Sequence, residues 1–324
     1  MVRMLRLFGA AGLHTLHARL RHGPRRASWS FGFEWTVRYL RADWDDSADW
    51  SPARLRADMD RRPYPSVFAR RSRQEPISLG GVPALRVVPP GARAGAAILY
   101  FHGGSYAYGS ARTTHAELLA RLAVASGVEV VGVDYRLAPE HRYPAQLEDA
   151  CAAFDALVGA GTPPGAIVVA GDSAGGNLAI ALQLALRDLG RPQAAGAALV
   201  SPWVDLTLPG ASYTENDRFD FGTRGVLARQ AADFAGEIPL DDPRVSPTYA
   251  ELAGLSPTLI TVGELEIPRD DILLFAARLE RAGVEVALHV AKDMPHNAPV
   301  FAALHPEGLA ALEAVARFAR ERLA

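Results

Sequence analysis

The sequence predicts an α/β fold, a mostly parallel sheet flanked by helices and topped by a helical cap. Three observations carry this. From about residue 76 onward, short β-branched or apolar runs alternate with longer amphipathic stretches, as a parallel sheet with crossover helices requires. Two segments, 1–60 and 205–245, fall outside that rhythm. A Gly-x-Ser-x-Gly string lies between a predicted strand and a predicted helix.

Taken in order, residues 1–60 contain no strand-like run and hold Trp29, Trp35, Trp44 and Trp50 beside Phe31, Phe33 and Tyr39. Pro76–Val88, with Gly80-Gly81 at its middle, reads as an opening antiparallel hairpin. Ala96–Phe101 is a buried strand, Thr114–Ala125 a helix, Val128–Asp134 a strand and Ala145–Val158 a helix. Ala166–Ala170 is a strand, followed by a helix over Ala174–Leu189 that Gly190 stops. Ala195–Val200 and Thr258–Val262 are strands, Asp270–Ala282 a helix, Val284–Val290 a strand and Gly308–Arg320 the last helix. Within 205–245, polar turns surround one helix near Val226–Ala235. The expected organisation is N-terminal cap helices in 1–60, a core in 61–204 and 246–324, and a cap insertion in 205–245. Both irregular segments then fold over the C-terminal ends of the strands, where open α/β sheets place their ligands.

Bulk properties narrow the function. The 324 residues suffice for one large domain or for a core with an appendage. With 49% hydrophobic and 22% charged residues, the chain has the composition of a soluble globular enzyme. A net charge of −2 argues against nucleic acid as a partner. Arginine nevertheless outnumbers the acids by 15 to 7 in residues 1–73. Such residues form a solvated helix face or pair with acids elsewhere in the molecule; an acidic lipid surface is the alternative. Cys151 is the sole cysteine, so an internal disulfide and a multi-thiolate metal site are excluded, and its alanine neighbours mark it as packing. No apolar run reaches 18 residues, so no stable membrane insertion is expected. Met1–Arg21 resembles a signal peptide only superficially, being broken by His14 and His17. A cytoplasmic protein is expected, and a homodimer is left open.

Chemistry concentrates in Gly171-Asp-Ser-Ala-Gly175. A sharp strand-to-helix turn exposes its middle residue, and the residues two before and two after must be small because the limbs of the turn nearly touch. The following helix aims free N–H groups and its positive dipole end at the same spot. Ser173 is therefore the candidate nucleophile. His102-Gly-Gly-Ser105, at the end of the strand Ala96–Phe101, is a candidate source of backbone N–H groups for a developing oxyanion.

Tyr100-Phe-His-Gly-Gly-Ser-Tyr106, Asp134-Tyr-Arg-Leu-Ala-Pro-Glu140 and Gly171-Asp-Ser-Ala-Gly-Gly-Asn177 together resemble the hormone-sensitive-lipase-like family of bacterial esterases. The resemblance runs from about Pro76 to the C-terminus. It implies an α/β-hydrolase core with a helical cap, and oxyanion donors on Gly103, Gly104 and Ala174. Where many members have a third glycine this chain has Ser105, which keeps the N–H but adds a side chain beside the acyl site. The Asp134–Glu140 stretch is architectural.

A histidine must serve as base, since its pKa suits proton transfer near neutrality. The chain order serine, acid, histidine leaves His289, His296 and His305. His289 sits within a strand and His305 precedes Pro306, so His296, on a loop past a strand end, is the candidate. The acid belongs at the end of strand Thr258–Val262, where Glu264, Glu266, Asp270 and Asp271 lie. The family pattern laid on Glu266-Ile-Pro-Arg-Asp-Asp271 points to Glu266, with Asp270 second. The aromatic cluster, Trp29 and Phe33 in particular, either lines the substrate pocket or anchors the cap.

The resulting expectation is a serine carboxylic-ester hydrolase acting on small to medium acyl esters through an acyl-enzyme, with no metal and no cofactor. A lactone, an amide or a biosynthetic intermediate is the alternative substrate, and a catalytically silent small-molecule receptor the remaining one.

Overall fold

The apolar runs of the sequence pair into one sheet. In a computed structural model describing residues 2–62 and 67–324, the strands are β1 (Arg73–Leu79), β2 (Val82–Val88), β3 (Ala97–Phe101), β4 (Glu129–Val133), β5 (Ile167–Asp172), β6 (Gly196–Val200), β7 (Thr258–Gly263) and β8 (Val286–Ala291). Their order is β1-β2-β4-β3-β5-β6-β7-β8. The β1–β2 hairpin and the β2–β4 pair are antiparallel, and every other pairing is parallel.

The helices are α1 (Val2–His22), α2 (Phe31–Ser47), α3 (Pro52–Asp60), α4 (Ala116–Ser126), α5 (Ala145–Gly159), α6 (Ala174–Asp188), α7 (Ser212–Glu215), α8 (Arg224–Ala235), α9 (Arg269–Arg281) and α10 (Pro306–Arg322). Alternation along β3 sorts its side chains between two cores. Ala97, Leu99 and Phe101 join Phe154 of α5, Leu182 of α6 and Phe275 of α9. Ile98 and Tyr100 join Leu119 of α4 with Leu312 and Phe318 of α10. Buried on both faces, β3, β5, β6 and β7 read as unbroken apolar runs, which is why they were legible. The edge strand β8 has one free side and is largely half-buried or exposed.

Many of the N-terminal arginines find carboxylates within the molecule. Arg3 pairs with Asp43 and Asp46 at 2.8 Å, Arg62 with Asp43 at 2.7 Å, and the fully buried Glu34 with Arg19 and Arg38. Arg26 reaches Asp293 at 2.7 Å, and Arg41 donates to the Asp217 carbonyl at 2.7 Å. The last two contacts fasten 1–60 to the core and to the 205–245 segment. Among the described residues, no helix is long and apolar enough to cross a membrane.

Candidate active site

The tip of β5 turns into α6 through Ser173, whose φ of 54° and ψ of −119° lie outside the regions L-residues prefer. Such a conformation costs on the order of 1–3 kcal/mol and survives only where its surroundings impose it. Here the limbs of the turn impose it. A Cβ on Gly171 would collide with the Gly175 carbonyl, and one on Gly175 with the Phe101 carbonyl of the adjacent strand. The Ser173 N–H donates to the Val200 carbonyl at 2.9 Å, tying the turn to β6 as well.

His296 stands on the loop after β8, and Glu266 on the loop after β7. The imidazole Nδ1–H donates to Glu266 Oε2 at 2.6 Å, and the other carboxylate oxygen accepts the Gly263 N–H at 2.8 Å. Glu266 is fully buried. Burial works against an imidazolium at His296, but the hydrogen bond and charge of Glu266, followed by Asp220 and Asp172, outweigh it and raise the pKa above the ordinary histidine value. Asp270 lies elsewhere: in the first turn of α9 it accepts the Ser212 N–H at 2.9 Å and pairs with Arg269 at 2.8 Å. His289 lies within β8, and His305 is the N-cap of α10.

Gly103 is not placed as the resemblance implied. Its N–H donates to the Asp172 carboxylate at 2.9 Å and is already spent. The N–H groups of Gly104, Ser105 and Ala174 make no hydrogen bond among the described residues, so they are the donors left to meet an oxyanion. Ser105 adopts a positive φ of 51°, and its side chain is buried. Of the N–H groups the resemblance named, those of Gly104 and Ala174 are thus free and that of Gly103 is bonded, with Ser105 free beside them.

Trp29 and Phe33 also require correction. Both are buried in a cluster with Phe219, Met294 and Phe301, away from the cavity at Ser173. The Trp29 indole N–H donates to the Asp293 carbonyl at 2.7 Å, so these rings anchor the N-terminal helices to the loop preceding His296. Their clustering in sequence could not distinguish anchoring from lining. Of that aromatic run it is Trp44 that lines the cavity, beside Tyr108, Trp203 and Phe221. This cavity, about 180 Å³, holds Ser173, His296, Gly104 and Ser105 on its walls. A second cavity of about 680 Å³ lies between α2, α3 and α8 and shares Trp44, Tyr108 and Phe221 with the first.

Two carboxylates escaped the sequence reading. Asp172 lies inside the serine motif at a position the motif itself leaves open. It is buried and accepts from Tyr100 Oη (2.9 Å), the Gly103 N–H (2.9 Å) and Asn297 Nδ2 (2.6 Å), with His115 Nε2 at 3.2 Å. Burial opposes its charge, yet His115, Tyr100 and His102 outweigh that and hold its pKa below the ordinary carboxylate range. One side chain thus joins the Gly103 loop, the serine turn and the loop of His296. Asp172→Asn presents an amide to donors that need an acceptor. The expected outcome is a kcat lowered on the order of 10²-fold with KM within a few-fold, because oxyanion donors lose their alignment. Steady-state kinetics on a short ester checks this, and an unchanged kcat overturns it.

Asp220, in the 205–245 segment, gave no sequence signal at all. Its carboxylate accepts the Phe221 and Ile267 N–H groups at 2.8 Å and the His296 N–H at 3.2 Å. Burial raises its pKa despite His296 and these N–H groups.

Known proteins resemble this chain in sequence and overall shape. The profile of a family described by its alpha/beta hydrolase fold matches residues 98–300. An acetyl-hydrolase from Streptomyces hygroscopicus is 39% identical over 235 residues, covering 72% of this chain and 78% of the relative. An esterase from Acinetobacter venetianus is 38% identical over 247 residues, covering 75% of this chain and 80% of the relative. An esterase of the bacterial hormone-sensitive lipase family superposes with a TM-score of 0.78 at 33% identity, covering 100% of this chain and 99% of that one. An esterase/lipase from an uncultured bacterium gives 0.80 at 35% identity, covering 85% of this chain and 92% of that one.

Proposed function

Because the chain belongs to the alpha/beta hydrolase fold family and is a carboxylesterase-type hydrolase, we propose that Ser173, His296 and Glu266 carry out a two-step acyl transfer. The observation supporting this most directly is the 2.6 Å bond from the buried Glu266 to a histidine that shares its cavity with Ser173. His296 takes the Ser173 proton through Nε2 as the hydroxyl attacks the ester carbonyl. The N–H groups of Gly104, Ser105 and Ala174 receive the oxyanion. His296 then protonates the leaving alcohol, and water releases the acyl group by the same route. Glu266 fixes the tautomer and stabilises the imidazolium without taking the proton. Under this reading residues 1–60 and 205–245 act as the cap over the core. A fluorosulfonyl reagent tests the nucleophile: one adduct is expected, on Ser173, and labelling elsewhere rejects the assignment.

The same reading covers substrate and setting. The small cavity suits short acyl groups, and relatives carry the names acetyl-hydrolase and ethyl acetate hydrolase. The proposed substrates are small to medium acyl esters, hydrolysed in the cytoplasm. A homodimer would form across the free edge of β8, where Leu288 and Val290 are exposed. Trp44 stands between the inner cavity and the larger one. Trp44→Ala should join them and shift the preferred acyl chain to greater length, with the ratio of kcat/KM for octanoyl over acetyl esters rising on the order of 10-fold. One added methylene in an apolar pocket is worth roughly 10-fold or more. A uniform change across chain lengths would show that Trp44 is no partition.

A further inference from the structure

The outer side of α1 is apolar where a surface helix is ordinarily polar. Toward α2 the helix buries Ala11 and Thr15. On the opposite side Val2, Leu5, Leu13, Leu16 and Leu20 are exposed by 83, 59, 73, 49 and 79%. Steps of three and four residues keep these positions in line along the helix, with Gly9 in the remaining place. Single exposed leucines are normal in folded proteins. A stripe about 27 Å long, from 18 steps of 1.5 Å and interrupted only at Gly9, marks an interaction surface. Aromatic rings border it: Phe8, 40% exposed, stacks near Trp35 at 4.3 Å, and Phe31 lies 5.9 Å from the same indole.

Charge along this helix has one sign. Residues 2–22 hold four arginines and three histidines and no carboxylate. Arg3 is engaged by Asp43, Asp46 and Asp58, and Arg19 by Glu34. Arg6 touches Asp46 while its side chain stays 67% exposed. Arg21, on the flank of the stripe, has no carboxylate partner among the described residues.

We propose that this face docks the enzyme on an anionic phospholipid bilayer. The helix lies in the plane of the interface, with the Val2–Leu20 stripe among the acyl chains and Arg6 and Arg21 at the headgroups. The absence of acids on α1 favours this occupant over a second copy. Two such helices laid together would oppose like charges, with no carboxylate on either helix to meet them. With no helix among the described residues able to span, the proposed attachment is peripheral and reversible.

The test uses the full chain in vesicle flotation, with phosphatidylcholine alone and with phosphatidylcholine mixed with phosphatidylglycerol. Wild type should float with the mixed vesicles, and added salt should weaken the binding. Leu13→Glu/Leu16→Glu should bind at least about tenfold more weakly, since each carboxylate would have to enter the apolar layer. It should hydrolyse a soluble short ester as wild type does. Arg21→Glu should weaken binding to the mixed vesicles only. Leu20→Glu, near the end of the helix, serves the same purpose should the double variant melt early. The proposal is overturned if wild type binds neither vesicle or if the glutamate variants float as wild type does. It is equally overturned if sedimentation equilibrium finds a dimer that those variants dissociate, since a second copy then covers the stripe.

Discussion

Ser173→Ala is expected to lower turnover by about 10⁵ to 10⁶-fold, as loss of the nucleophile does in the best-dissected serine hydrolases. Steady-state kinetics with an active-site titrant would measure it, and retention of more than a few per cent of activity would sink the nucleophile assignment. The fold should survive, because the turn is imposed by Gly171, Gly175 and the Val200 carbonyl rather than by the hydroxyl. A companion variant separates chemistry from strain. Ser173→Gly should be equally inactive yet more stable by roughly 1 kcal/mol, since glycine adopts a φ of 54° without steric cost. A melting temperature below that of wild type would show that Ser173 is unstrained.

Glu266→Gln comes next in size. Substituting the acid of a serine triad lets the histidine settle in the wrong tautomer, which costs about 10⁴-fold in turnover. A loss near that magnitude is expected here, with Asp270→Asn costing stability more than rate, because Asp270 serves the start of α9. The pH profile gives a second readout. Neutral His296 is the active base, so kcat/KM falls as pH drops through its pKa. That pKa is raised in the folded protein by Glu266, so the acid limb should lie above the ordinary histidine value. In Glu266→Gln burial loses its main opponent, and the limb should move to lower pH. A limb that stays put would mean that Glu266 does not control the base. The same sign governs stability: the favourable contribution of the pair is fully present below the pKa of unfolded histidine and is lost as pH rises through the folded value.

Much of this arrangement was legible because it is local. The buried strands announce themselves as apolar runs, and Gly171 and Gly175 mark the serine turn wherever the rest of the chain goes. The pairing of His296 with Glu266 was within reach because chain order and strand ends restrict where the proposed base and acid can stand. What stayed hidden depends on which backbone groups are already bonded and on contacts between distant segments. Gly103 and Gly104 look alike in sequence, and only the Asp172 carboxylate tells them apart. Trp29 and Trp44 belong to the same aromatic run, yet one is bolted to Asp293 and the other faces the cavity. Asp220 carries no motif because its partners, Ile267 and His296, are brought to it only by the fold.

Asp220 also decides how exchangeable the segment around it is. Covering segments of this kind invite transplantation, since a new roof could bring a new substrate range to an old core. In this protein the 205–245 segment, through Asp220, also holds the backbone of the proposed base, at 3.2 Å from the His296 nitrogen. A graft that replaced 205–245 wholesale would thus also remove the carboxylate that holds the His296 and Ile267 N–H groups. Successful chimeras should be those whose crossover points fall outside 216–221, leaving Asp220 and the Asn216 contacts to the Glu264 and Glu266 carbonyls with the recipient.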